Sequence, residues 1–250
     1  MLVVELVLAF ALSAQDKPPQ MGALSGTALN SVTGAPLGKV ELRAIPAGVR
    51  FAPMASTTTD AKGNFTLVDL PPGEYRLKAL RNGFLDTYYG ARRAASAGTL
   101  ITLEAGQEIK NLRIKLAPYS VIAGTVRDPD GEPISGAALM LFAQSFESGR
   151  RRITQQGFWE NKTDDLGQYR ITDLPPGKYY VQAITRIASG DEDDPNVVVI
   201  DHSAKPAGPP KVLLPTLYPG VLDPALARLV EVGPGDHVTG IDIPLVRSPT

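Results

Sequence analysis

The chain states one passage of 17 residues twice. Thr59-Asp60-Ala61-Lys62-Gly63-Asn64-Phe65-Thr66-Leu67-Val68-Asp69-Leu70-Pro71-Pro72-Gly73-Glu74-Tyr75 returns 104 residues later as Thr163-Asp164-Asp165-Leu166-Gly167-Gln168-Tyr169-Arg170-Ile171-Thr172-Asp173-Leu174-Pro175-Pro176-Gly177-Lys178-Tyr179. A repeat of this length fixes the architecture as two similar modules in tandem. Its period, about 100 residues, is the size of one β-sandwich domain.

The passage has a physical reading. Thr-Asp-x-x-Gly between two alternating runs predicts a hairpin turn, in which the Asp carboxylate accepts backbone N–H groups and Gly63 or Gly167 takes a positive φ. A strand of period two follows. Phe65 and Leu67 point to one side, Asn64 and Thr66 to the other, and Tyr169 and Ile171 repeat the pattern. Pro-Pro-Gly stops the strand, and Pro-Gly suits the central positions of a type II turn. The next strand turns Tyr75, Leu77 and Ala79 inward and Arg76 and Lys78 outward; Tyr179, Val181 and Ala183 are the inward counterparts. Tyr75 and Tyr179 resemble a tyrosine corner, whose hydroxyl ties back to the loop backbone.

The repeat extends both ways. Leu24 to Ala28 matches Ile122 to Val126, and Gly34-Ala35-Pro36-Leu37 matches Gly131-Glu132-Pro133-Ile134. Lys39 to Ala44 and Gly136 to Phe142 are the next strands. Downstream, Leu112 to Leu116 matches Ile241 to Leu245. About seven short strands per copy, with turn signals every 8–12 residues, predict an all-β protein of two tandem antiparallel Greek-key sandwiches. No segment after residue 20 shows a 3.6 period over three turns. Pro224 to Leu229 allows one helical turn at most.

Composition narrows the function classes. With 25 basic and 26 acidic residues the formal net charge is −1, which excludes a global basic footprint for nucleic acid. The chain has no cysteine, so disulfides, thiol catalysis and cysteine zinc sites are excluded. Leu2 to Leu12 is apolar apart from Glu5, and Ser13-Ala14 then precedes a polar stretch. That reads as a signal peptide over residues 1–14, without the usual basic residues before it, followed by a linker over 15–21. It implies a secreted, periplasmic or envelope protein. No later stretch is long and apolar enough to span a bilayer.

At Gly-Thr-Val, Thr-Asp-x-x-Gly-x-Tyr and Leu-Pro-Pro-Gly-x-Tyr both copies resemble the carboxypeptidase regulatory-like domains. The resemblance implies transthyretin-like sandwiches of seven strands, classed with the carbohydrate-binding-like fold, over residues 22–118 and 119–250. It does not imply the peptidase. The chain has no His-x-x-Glu pair and only two histidines, His202 and His237. The related adhesin sandwiches close a Lys–Asn isopeptide from a first-strand lysine. Leu24 to Leu29 and Val121 to Arg127 contain none.

The second copy is longer, with insertions near 146–158 and 188–213. Insertions sit in surface loops, which carry function on such scaffolds. Trp159, beside Phe158, is the only tryptophan. It reads either as a residue stacking on a sugar ring or as a strand residue closing the core edge. Tyr88-Tyr89 and Tyr218 occupy equivalent places and read either as aromatic platforms or as loop residues packing over one end of each sandwich. Asp191 to Asp194 lack the spacing of a calcium loop, and Arg150 to Arg152 read as a solvated basic loop. Asp201-His202-Ser203 is no triad, since triad members meet in space rather than by adjacency. The expectation is a non-catalytic module without cofactor or metal. Its partner is a carbohydrate or envelope glycan, or alternatively an envelope protein for which it acts as a structural spacer; a hydrolase using His202 or His237 is the remote third reading.

Overall fold

The computed structural model describes residues 19–48, 54–91, 96–156, 161–185 and 213–248. The N-terminal apolar stretch, Phe158, Trp159, Asp191 to Asp194 and His202 lie outside the described residues. The structure is all-β. The first copy contributes β1 (Gly22–Asn30), β2 (Glu41–Pro46), β3 (Ala55–Thr58), β4 (Asn64–Leu70), β5 (Gly73–Leu80), β6 (Thr87–Tyr88), β7 (Ile101–Leu103) and β8 (Glu108–Leu116). The second contributes β9 (Ser120–Arg127), β10 (Ala138–Glu147), β11 (Arg150–Gln156), β12 (Gln168–Leu174), β13 (Gly177–Ile184), β14 (Leu213–Leu214), β15 (Thr216–Leu217), β16 (Val230–Val232), β17 (His237–Val238), β18 (Ile243–Pro244) and β19 (Val246–Arg247).

In the first copy one sheet has the order β4-β1-β8. The other has the order β3-β2-β5, with β6 and β7 both beside β5. The second copy repeats this: β12 and the pair β17 and β18 flank β9, and β11-β10-β13 carries β15 and β16 beside β13. Period-two alternation packs one face of each sheet inward. Leu24, Leu42, Leu77 and Leu116 are fully buried in one core, and Ile122, Val126, Val181 and Ile243 in the other. Each such side chain contributes roughly 1.5–3 kcal/mol by leaving water.

The two shared turns do different work from the expected hairpin and type II turn. β3 and β4 lie in different sheets, and so do β4 and β5. Both turns are therefore corners that carry the chain across the sandwich. The polar part of the first corner is as expected: Asp60 Oδ1 accepts from the N–H groups of Lys62 and Asn64, at 2.8 Å each. Asp164 Oδ1 does the same for Leu166 and Gln168. Gly63 and Gly167 have φ of 76° and 71°, with the carbonyls of Ala28 and Val126 close above them. At the second corner the left-handed residue is not the glycine. Asp69 and Asp173 take φ of 56° and 57°, and the chain then runs through Pro-Pro into an extended Gly73 or Gly177. Aspartate tolerates this region because its short polar side chain bonds locally. The Tyr75 and Tyr179 hydroxyls donate to the carbonyls of Pro71 and Pro175, both at 2.6 Å, which makes the expected tyrosine corners.

Two further features differ from the sequence reading. Strands near the end of each copy pair with its first strand in parallel, β8 with β1 and β17 and β18 with β9, while the final β19 pairs antiparallel with β14. Gly26 and Gly124 lie where these partners come closest. A Cβ on either would collide with the carbonyl of Leu112 or Ile241. The insertion near 146–158 is also not simply a loop. Its described part extends β10 and β11 into a hairpin of seven consecutive pairs, from Leu141↔Gln156 to Glu147↔Arg150. Ser148 and Gly149, with φ of 52° and 76°, supply the two positive-φ positions of a type I′ turn. Around Pro224 to Leu229 the backbone makes two i to i+3 bonds, Leu226 to Asp223 and Ala227 to Pro224, and Arg228 N–H donates back to Tyr218 O.

Candidate functional site

The two copies present equivalent sheet faces to solvent, and equivalent positions can be compared directly. Ile45 opposes Arg76, and Arg43 opposes Lys78, on the outer face of the first copy. In the same register, Phe142 opposes Tyr180 and Met140 opposes Gln182 in the second. One step along the strands, Glu41 pairs with Leu80 where Ala138 pairs with Ile184. Four charged residues of the first copy thus become alanine, methionine, tyrosine and glutamine in the second. Most charges on the first face are paired, and Arg76 donates to the Ala97 carbonyl. Arg43 donates two hydrogen bonds to Glu41, at 2.7 and 2.9 Å, and Lys78 lies 2.9 Å from Asp86. The Arg43 partnership holds the Glu41 carboxyl below its usual range.

On the second face Phe142 and Tyr180 are half-buried and stand directly opposite, about 5 Å apart at their Cβ atoms. The hairpin extends the face with Phe146, 65% exposed, and Ile153, 48% exposed. The neighbours Gln144, Gln155 and Gln182 are uncharged amides, each able to donate and accept. The face combines apolar ring surface with neutral hydrogen-bonding groups, with Arg151 and Lys178 at its margin.

The three tyrosines singled out by sequence do not gather at one place. Tyr88 lies on β6 opposite Lys78, whose Nζ is 5.9 Å from the ring centre. Tyr89 and Tyr218 are equivalent residues: the N–H of each donates to the same repeat position, Leu77 and Val181, at 2.8 and 2.9 Å. Both are half-buried against their own cores. The Tyr218–Pro219 peptide is cis. His237 is exposed on β17, and among the described residues no group of three or more His, Asp or Glu side chains gathers. Arg150 to Arg152 lie on β11, a strand rather than a loop.

A second concavity, about 710 Å³, lies at the joint between the copies. The linker there is tied to both sides. Leu85 N–H donates to Ala117 O and Tyr119 N–H to Gly83 O on the first copy, while Ser120 Oγ donates to Gly233 O on the second. Lys39, Arg81, Asp86, Tyr119 and Asp173 line the cleft. Burial, then Asp86 and Asp173, push the Tyr119 hydroxyl above its usual pKa. Arg81 stacks on Phe84 at 4.9 Å, and its Nη1 is occluded without a hydrogen-bond partner.

Sequence reasoning missed Phe142 and Tyr180. The signal was in the chain all along: aligning the copies at outward rather than inward positions brings Arg76 onto Tyr180 and Ile45 onto Phe142.

Three solved structures resemble the fold. A Bacillus anthracis TIE protein aligns with 91% of this chain at 16% identity and TM-score 0.33. A streptococcal ancillary pilin aligns with 94% at 15% identity and TM-score 0.43, and a minor pilin of Streptococcus agalactiae with 92% at 14% and 0.45. This chain spans 34%, 64% and 97% of their respective lengths. No protein with a curated description matches the chain in sequence. No described helix is long and apolar enough to cross a membrane. The sequence model of the carboxypeptidase regulatory-like domain matches residues 23–117 and 121–201, most of both copies. The chain belongs to the carboxypeptidase regulatory-like domain family.

Proposed function

We propose that the protein is a non-catalytic, extracytoplasmic binding module whose second sandwich presents its outer sheet face to a neutral carbohydrate of the cell envelope. The apolar stretch over residues 2–12 supports export. One observation carries the binding reading: a face that is charged in the first copy is aromatic and amide-bearing in the second. The C–H face of a sugar ring packs on apolar ring surface such as Phe142 and Tyr180. Its hydroxyls exchange hydrogen bonds with Gln144, Gln155 and Gln182, which bring no competing charge. The first sandwich and its tied linker then act as a spacer.

The test is retention of the chain from residue 15 onward on insoluble and gel-embedded neutral polysaccharides. Phe142→Ala/Tyr180→Ala should release it, and Arg43→Ala/Arg76→Ala on the first sandwich should not. Retention unchanged by the Phe142/Tyr180 pair but lost in Trp159→Ala would move the site to the end of the first insertion. No retention on any polymer would reject the carbohydrate reading and leave the structural spacer.

A further inference from the structure

The two copies also differ at the edge of this sheet. In the first, the edge strand β3 has four residues. In the second, β11 has seven, each exposed, and it ends the sheet among the described residues. A sheet edge offers a row of unpaired N–H and C=O groups, and folded proteins blunt it with bulges, prolines, charged side chains or very short strands. Of these β11 has only charge, which bars like-charged strands: its pairing with β10 runs through seven residues without a register shift, and its sequence, Arg150-Arg151-Arg152-Ile153-Thr154-Gln155-Gln156, contains no proline.

The hairpin sets which groups face outward. Across a two-residue type I′ turn the flanking pair, Glu147 and Arg150, is hydrogen-bonded. Alternation then directs the backbone of Arg150, Arg152, Thr154 and Gln156 toward β10. The N–H and C=O groups of Arg151, Ile153 and Gln155 face away from it. Leu139 N–H, on the β10 side facing this edge, donates to Asn161 O at 2.8 Å, in keeping with the same alternation. The edge is strongly basic, and the exposed Arg150 and Arg151 have no ion pair among the described residues. Two copies joining edge to edge would bring these like charges together. An acidic strand would not meet that penalty.

We propose that β11 is a docking edge that an extended acidic segment of a partner protein joins as an added β-strand, with backbone bonds at Arg151, Ile153 and Gln155 and side-chain pairing at Arg150 and Arg151. This edge shares β11 with the carbohydrate face proposed above but uses the backbone groups of Arg151, Ile153 and Gln155 rather than the rings of Phe142 and Tyr180, so either can fail without the other.

The experiment measures binding, by fluorescence anisotropy, of a labelled nonapeptide alternating valine with glutamate, beside the same peptide with lysine for glutamate. Hydrogen exchange at Arg151, Ile153 and Gln155 is followed in parallel. The glutamate peptide should bind, the lysine peptide should not, and the three amides should gain protection. Arg150→Glu/Arg151→Glu should weaken binding by about tenfold or more, as expected for lost charge complementarity across an interface. Ile153→Pro removes an outward N–H that no described strand uses, and should abolish binding with the circular dichroism spectrum retained. If Ile153→Pro unfolds the second sandwich, the arginine pair and the exchange pattern still decide. Equal binding of both peptides, no protection at the three amides, or dimerisation of the free protein through this edge would overturn the proposal. Phe142→Ala/Tyr180→Ala should bind the peptide as the parent does.

Discussion

Replacing Thr163 by valine removes one hydroxyl and changes almost nothing else in shape, so it isolates a single device of the fold. Thr163 is 5% exposed. Its Oγ1 accepts from the N–H of Ala137 at 2.9 Å and donates to the carbonyl of Ile134 at 2.5 Å. It thereby ties the corner before β12 to the segment entering β10. Valine is also β-branched and fits the site, but it leaves the Ala137 N–H and the Ile134 C=O without their partner. Each buried unsatisfied group costs roughly 1–3 kcal/mol. The added buried methyl returns about 0.8 kcal/mol. The net expectation is a loss of about 3 kcal/mol. For a domain of about 100 residues, 1 kcal/mol moves Tm by roughly 4–8 °C, so the transition of the second sandwich should fall by about 12–24 °C. Scanning calorimetry on the two-domain protein reads this directly, with the first sandwich as internal reference. Thr59→Val provides the mirror experiment, since Thr59 Oγ1 accepts from Val40 N–H and donates to Leu37 O in the first copy. A shift below about 4 °C in Thr163→Val would refute the view that the threonine, rather than the neighbouring aspartate and glycine, secures the corner.

Other predictions rest on comparing the copies. Gly26→Ala and Gly124→Ala should each destabilise their own sandwich by about 3 kcal/mol or more, measured by urea unfolding, because the new methyl meets the carbonyl of Leu112 or Ile241. Tyr169 is deeply buried and its hydroxyl donates to Ile241 O; burial first, then Asp242 and Tyr218, raise its pKa far above the ordinary tyrosine value. Its contribution is fully present below that ordinary value, about 10, and is lost as the pH climbs above it and the unfolded chain ionises. Phe65 occupies this position in the first copy, so the second sandwich should lose stability more steeply above about pH 10, and Tyr169→Phe should flatten that loss. Identical alkaline profiles for Tyr169→Phe and the parent would show the reasoning wrong. Arg81→Met keeps the stem packed on Phe84 and deletes an unpartnered buried donor, so Tm should hold or rise. A fall of several degrees would mean that the guanidinium has a stabilising role.

The sequence alone determined much of the architecture. The 104-residue repeat and the inward alternation at Phe65, Leu67, Tyr75 and Leu77 announced two sandwiches, since strand periodicity and turn chemistry are local properties that a chain displays residue by residue. The tyrosine corners and the Asp60 and Asp164 turns were legible for the same reason: each closes within four residues. Tertiary structure decided the rest. A turn looks alike whether it joins paired strands or carries the chain to the other sheet, so the corners could not be told from hairpins. The parallel pairing near the end of each copy, and with it the need for Gly26 and Gly124, depends on a partner more than 80 residues away. The candidate surface was hidden most completely. Phe142, Phe146, Tyr180 and Ile153 come from three strands, and only sheet register places them side by side with three glutamines, where the same register in the first copy places Ile45 against Arg76 and Arg43 against Lys78.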